Sequence, residues 1–383
     1  MPNKSFDDMA VTVMTSPSRR NRTPWWIAGI GLLAITATFF LWTPKPGNKS
    51  DSSAANASPL PTPATLAAAH PAASVEAAPV QAARTVVPLP AHGPLYPVKI
   101  DGAFGYVDAE GKVVLEPRWS GARFFSEGLA ATRDGEKWGF IDATGRQVIP
   151  ARYEAAGDFS EGLVRVKRGG RWGYIDMAEN EVMAFVLDGA GDFHGGVANV
   201  CRKRRWWFVD RQGELAAGGQ TYSVARSFSP EGLAAVNSGG WEGDDGKFYG
   251  GQWGFIDRNG REVIPRRYSD ARDFHDGLAA VRGAEERWGY VNVAGTEVVP
   301  PALLAAGDFS DGRAPTIHDE GWGFIDASGR WAILADYPGV TRFVNGRALV
   351  SRGESGPHLW GLIDTNGAPV GPLAFDGPGD GFN

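Results

Sequence analysis

The chain of 383 residues holds a single cysteine, Cys201, and six histidines. One cysteine excludes an intrachain disulfide framework and any zinc or iron–sulfur site built on several thiolates. No HExxH, GxSxG, Walker A or CxxC run occurs, so zincin, α/β-hydrolase, P-loop and thioredoxin-like chemistry has no sequence support. Charged residues are sparse, at 21%, and the formal net charge is −6. From residue 96 onward 31 Lys and Arg face 40 Asp and Glu. That excess of negative charge argues against a nucleic-acid partner. Neither a cofactor nor a metal is expected. Hydrophobic residues still make up 43% of the chain, too many for disorder throughout.

Long apolar runs are equally scarce, and the one that exists is informative. Residues 25–42 read WWIAGIGLLAITATFFLW, eighteen residues without a charge. As a helix this run is about 27 Å long, close to the hydrocarbon thickness of a bilayer. Trp25, Trp26, Phe39, Phe40 and Trp42 flank it where aromatic rings sit at the headgroup level. Arg19, Arg20 and Arg22 precede it, against Lys45 and Lys49 after it. The positive-inside rule then makes 1–24 a cytoplasmic tail, 25–42 a transmembrane helix, and everything beyond it periplasmic. A cleaved signal peptide is the competing reading, but its apolar core ordinarily runs about 7–15 residues and ends in an A-x-A-like site. From 44 to 95 ten Pro and fourteen Ala occupy the chain, a composition that cannot bury a core and reads as a disordered stalk.

Residues 96–383 repeat. Phe104-Gly105-Tyr106-Val107-Asp108 is followed by Trp138-Gly139-Phe140-Ile141-Asp142, and six further copies start at Trp172, Trp206, Trp253, Trp288, Trp322 and Trp360. The starts are 34, 34, 34, 47, 35, 34 and 38 residues apart, a period that marks a stacked or radial repeat protein. Within a unit, two short strands form a hairpin, an Asp-x-x-Gly turn follows, and a third strand ends at a proline. A Phe-x-x-Gly element then leads to the next unit: Phe125, Phe159, Phe193, Phe274, Phe309 and Phe343, with Phe228 carrying one extra residue. Three short strands per unit predict a β-meander.

These units resemble the bacterial WG-repeat family, whose repeat carries W-G-[FY]-I-D-x-x-G and a following V-I-P. Phe104 replaces the first Trp, Trp207 replaces a Gly, and Glu179-Asn180 replaces one turn Gly. The resemblance implies an all-β repeat domain, frequently at the cell envelope, and no particular reaction. The expected architecture is an array of eight 34-residue meanders, propeller-like rather than an open β-solenoid, although no strand is visibly exchanged between its ends.

Eight units serve as an internal alignment that sorts the candidate residues. An Asp or Asn recurring after every aromatic pair reads as turn capping, because catalytic residues are singular. Trp138, Trp172, Trp206, Trp253, Trp288, Trp322 and Trp360 read as the structural core of the repeat. Cys201, beside Arg202-Lys203-Arg204-Arg205, reads as a thiol on an exposed hairpin. The features that break the repeat are the candidate binding site. The loop 237–252 replaces a short hairpin turn and contributes Trp241, Glu242, Asp244, Asp245, Phe248 and Tyr249, with Trp207 in the preceding unit as a neighbour. The expected function is a non-enzymatic binding or scaffold module of the bacterial inner membrane, serving an envelope protein or cell-wall glycan. The alternative is an envelope hydrolase that uses unit-specific loop acids. Alkaline phosphatase fused after residue 95 should be active in the periplasm; an inactive, protease-protected fusion would refute the topology.

Overall fold

A computed structural model describes residues 93–242, 248–318, 321–352 and 359–380. The predicted tail and transmembrane helix and nearly all of the stalk lie outside them. Among the described residues no helix is long and apolar enough to cross a membrane, and no α-helix of any length occurs. The described residues are all-β, arranged as eight propeller-like blades. Numbered along the chain, their central repeat strands are Ala103–Val107, Lys137–Asp142, Arg171–Asp176, Arg205–Asp210, Phe248–Asp257, Trp288–Asn292, Gly321–Ile325 and Leu359–Ile363.

Blade 2 shows how the unit is built. Its strands Gly121–Ser126, Leu129–Asp134, Lys137–Asp142 and Gln147–Tyr153 pair in sequence order, all antiparallel. Seven blades have four strands rather than the three expected. In blades 3, 4, 5 and 8 the extra strand is only two residues long, ending three residues before the Phe of Phe-x-x-Gly and too short for an alternating pattern. Blade 7 has three strands, with an isolated bridge from Ala306 to Thr316 at the place of the fourth. The Trp-Gly pair has a clear steric origin. The strand that ends the unit is bulged opposite it, with register shifts between Trp138 and Phe140 and again before Ile141. A Cβ on Gly139 would lie 2.6 Å from the carbonyl oxygen of Ile149. Blade 4 carries Trp207 at this position, and there the last strand shrinks to Leu215–Ala216 and gives way to a 3-10 turn at Ala217–Gly219.

Neighbouring blades meet through one ring pair. In seven of the eight repeats the second aromatic packs against the Phe of the next Phe-x-x-Gly, with centroids 4.8–5.0 Å apart in Tyr106–Phe125, Phe140–Phe159, Tyr174–Phe193, Phe208–Phe228, Phe255–Phe274, Tyr290–Phe309 and Phe324–Phe343. Where that aromatic is Tyr106, Tyr174 or Tyr290, its hydroxyl donates to a carbonyl of the next blade, at Arg123, Gly191 and Gly307. A second tie runs beside it. Glu161 and Gly162 both have positive φ and close a two-residue hairpin. The acid at this apex reaches the next blade. Glu161 accepts from the Gly196 N–H at 2.8 Å, Glu231 from Gly277, Asp276 from Gly312 and Asp311 from Gly346.

The two ends do exchange a strand. Gly377–Pro378 pairs with Tyr96–Ile100 and becomes an edge strand of blade 1. Two residues of Gly-Pro carry no strand signature, which is why the sequence shows no such exchange. The pairing closes the ring and supports the propeller over the open solenoid. Replacing Gly139 by Ala should destabilise the domain by roughly 1–3 kcal/mol through overpacking against the bulged strand, measured by chemical denaturation; an unchanged midpoint would refute the steric account.

Candidate functional site

The recurrent aspartates are occupied by the backbone. In all eight units the side-chain Oδ1 of Asp108, Asp142, Asp176, Asp210, Asp257, Asn292, Asp326 or Asp364 accepts the N–H groups two and four residues on, at 2.8–3.2 Å. The Arg261 N–H holds the Asp257 carboxyl below its ordinary range, and the Ser328 hydroxyl does the same for Asp326. These groups shape turns, as the internal alignment implies.

The repeat changes character where blades 4 and 5 meet. In blades 2, 3, 5 and 6 a guanidinium lies over the first Trp of the repeat: Arg133 over Trp138, Arg165 over Trp172, Arg226 over Trp253, and Arg272 and Arg282 over Trp288, 5.2–5.6 Å from the ring centroids. The cross-strand partner of that Trp is Arg133 in blade 2 and Arg282 in blade 6, but Cys201 in blade 4. Here a short thiol stands opposite the half-buried indole of Trp206, and both line one groove. Below the indole lies Gly189, where a Cβ would approach the ring to 3.0 Å. The groove has a volume of about 870 Å³. Trp206 and Trp241 form its aromatic walls, Cys201, Gly189 and Gly240 its small-residue lining, and the Lys203–Arg205 turn its rim.

The far wall belongs to the long hairpin of blade 5. Its strands Leu233–Glu242 and Phe248–Asp257 have ten residues each, against five in the corresponding strands of blade 6. The ladder skips Gly239 and Gly251, both at positive φ, before pairing resumes at Gly240 and Gly250. Beyond this bend Trp241 and Tyr249 sit directly opposite each other, with ring centroids 6.3 Å apart and planes tilted by 30°. Trp241 is 61% exposed and Tyr249 42%. The indole covers Gly250, where a Cβ would come within 2.5 Å of the ring.

Several predicted residues take other places. Trp207 is not an exposed neighbour of the loop. It is 1% exposed and packs in the core with Tyr174, Met183 and Phe193. Trp206 and Trp207 alternate across the strand, Trp206 packing with Tyr222 and Phe228 and Trp207 packing back against blade 3. Cys201 is buried at 6% exposure rather than lying on an exposed hairpin. Among the first tryptophans of the repeats, Trp253 is buried, while Trp138, Trp172, Trp206, Trp288, Trp322 and Trp360 are half-buried. The second aromatic, present in seven units, is fully buried in each of them. Glu242 and Phe248 pair as the last residues of the hairpin strands; Asp244 and Asp245 lie outside the described residues. Sequence reasoning missed Trp206, Cys201 and the Lys203–Arg205 turn as parts of one groove. The replacement of Arg or Lys by Cys opposite the repeat Trp was the available signal.

A second polar feature lies where neighbouring blades meet elsewhere. Arg123 pairs with Asp158 at 2.8 Å and Arg165 with Asp192 at 2.7 Å. Asp273 is less well served, and its buried Oδ1 has no hydrogen-bond partner. Burial pushes its carboxyl up to about 6, against the pull of Arg226 and with the push of Asp308. A carboxyl whose folded pKa exceeds the unfolded value of about 3.9 destabilises the fold progressively as pH rises from about 4 to 6, and fully above that. Asp273→Asn should therefore stabilise the domain at pH 7 by up to about 3 kcal/mol, less in proportion to residual solvation, and by nothing near pH 4. Denaturation midpoints at the two pH values would check this, and an equal effect at both would refute it.

Comparison with known proteins follows the same division. No curated relative matches the chain. Among solved structures, a eukaryotic initiation factor aligns at 11% identity and TM-score 0.46, over 75% of this chain and 97% of that one. BamB from Moraxella catarrhalis aligns at 11% and 0.43, over 71% and 93%. The family model of the WG containing repeat matches residues 104–138, 138–172, 172–206, 253–282, 288–319 and 322–354. It omits 207–252, the segment that carries most of the irregular features at blades 4 and 5. With more than half of its length matched in six repeats, the chain belongs to the WG-repeat family.

Proposed function

We propose that the protein is a non-enzymatic binding module of the bacterial envelope. In this reading residues 25–42 anchor it in the inner membrane, 44–95 form the stalk, and the propeller stands in the periplasm. It captures an envelope protein or cell-wall glycan at the groove between blades 4 and 5. The observation that carries the reading is a division of labour among residues. The recurrent aspartates and apex acids are held by turns and blade contacts, whereas Cys201, the Lys203–Arg205 turn and the long hairpin of blade 5 line one groove with an exposed Trp. Exposed aromatics on a rigid scaffold are the usual energetic centres of an interface.

The test exchanges the long loop for a short one. Replacing residues 237–252 by the six-residue segment Arg282–Arg287 should leave the melting temperature nearly unchanged, since surface loop length has a small thermodynamic effect. The same variant of the full chain should lose most of its crosslinked partners from cell envelopes. If the recovered partners are identical to those of the parent chain, the groove is not the binding site and the reading fails.

A further inference from the structure

We infer that the groove between blades 4 and 5 takes an acidic protein segment bearing an apolar anchor residue. This inference rests on the binding-module reading and adds the chemistry of the partner. The first argument is shape and composition. A groove of about 870 Å³ walled by Trp206 and Trp241 admits a few side chains, and Trp, Tyr and Arg are the residues that dominate protein interfaces.

The second argument is charge. The domain carries 31 basic against 40 acidic residues, yet the rim of this groove is Lys203, Arg204 and Arg205, all exposed. A local reversal of sign beside an aromatic cleft complements a negatively charged partner.

The third argument is the backbone of that rim. The equivalent hairpin apex is Asp101-Gly102 in blade 1 and Gly169-Gly170 in blade 3, at positive φ. Blade 4 places Lys203 and Arg204 there, at φ 50° and 61°, a region that side chains other than Gly and Asn disfavour. The turn is pinned, because the Lys203 N–H donates to Asp188 at 2.7 Å and Asp188 is paired with Arg171. Two cations are thus held at the rim in a conformation that local propensity opposes, the pattern of a site kept for function. Asp188 is already engaged on both sides. It offers little to the hydroxyls of a glycan, which favours an acidic polypeptide.

The experiment measures anisotropy of a short fluorescein-labelled peptide of aspartate and glycine around one tryptophan, added to the full chain in lipid nanodiscs. The peptide should bind, and added salt should weaken it. Trp241→Ala, at an exposed position, should lower affinity tenfold or more. The double variant Lys203→Asn with Arg204→Gly installs the preferred Asn-Gly turn. It should lose about tenfold in affinity while its melting temperature rises. Equal binding of an asparagine-for-aspartate peptide, no binding by the parent chain, or full affinity in the double variant would each overturn the inference. If soluble peptidoglycan strands bind in a Trp241-dependent way and the acidic peptide does not, the acidic segment is wrong but the binding module stands. If envelope capture also proves independent of 237–252, the module reading itself falls.

Discussion

Seven of the eight blades are held to the next by a Phe that crosses the boundary and packs on the second aromatic of the preceding repeat. Aromatic pairs of this kind add about 0.5–1.5 kcal/mol to what the burial of the rings already contributes, and seven of the eight boundaries carry one. The pair also constrains chain length. From Tyr106 to Phe125 is 19 residues, and the same 19 separate Phe140 from Phe159, Tyr174 from Phe193, Phe255 from Phe274, Tyr290 from Phe309 and Phe324 from Phe343. Only Phe208 to Phe228 is longer, at 20. The return path tolerates far more. Phe159 to Tyr174 takes 15 residues, whereas Phe228 to Phe255 takes 27. The boundary fixes one half of the unit, and variation is confined to the hairpin.

That confinement explains why the irregular features gather at one boundary. Blade 4 has Gly195 where its neighbours have an apex acid, so it sends no carboxylate to blade 5. Instead Arg258 of blade 5 reaches back to the carbonyls of His194 and Gly195, at 2.7 and 2.9 Å. Blade 4 also has lost the repeat glycine, the full-length last strand and the basic residue opposite its first Trp. Each change is local: Trp207 packs back against blade 3, while Cys201 and the long hairpin meet at the boundary with blade 5. The Phe208–Phe228 contact persists among them, at 4.8 Å. The boundary therefore keeps its inner ring pair while its periphery is rebuilt.

Much of this is legible in the sequence. The period, the hairpin and the turn role of the aspartates follow from eight copies read against one another. Other features hide for physical reasons. The first strand of blade 3, Ala155–Ala156, is two residues long, so it has no alternation to detect, and the closing strand Gly377–Pro378 contains two residues that strands usually avoid. Period-two alternation assigns Trp206 and Trp207 to opposite faces, but the buried face depends on whether a third strand covers the glycine position. That question is tertiary. The missing Val-Ile-Pro after Asp210 is its trace in the sequence, for Glu214-Leu215-Ala216-Ala217 stands there instead.

A ring of nearest-neighbour units also explains how the protein tolerates such a boundary. In a repeat array each unit contacts only its neighbours, so stability is nearly a sum of local terms and an irregularity penalises one boundary alone. Closure of the ring by residues 377–378 against 96–100 gives blades 4 and 5 support from both directions around the circle. A linear array would have only one such path. The same geometry fixes where a binding surface can evolve. Residues on the ring pairs and apex acids are repeated constraints, and changing one disturbs a boundary. The residue opposite the repeat Trp is Arg133, Cys201, Asn237, Arg282, Ile317 or Ser351 in different blades. That position is free to vary because it covers the outside of an indole already seated on the sheet. A small residue there makes room beside the ring without opening the core. Blade 4 has such a residue at Cys201, and the long hairpin of blade 5 supplies the second wall.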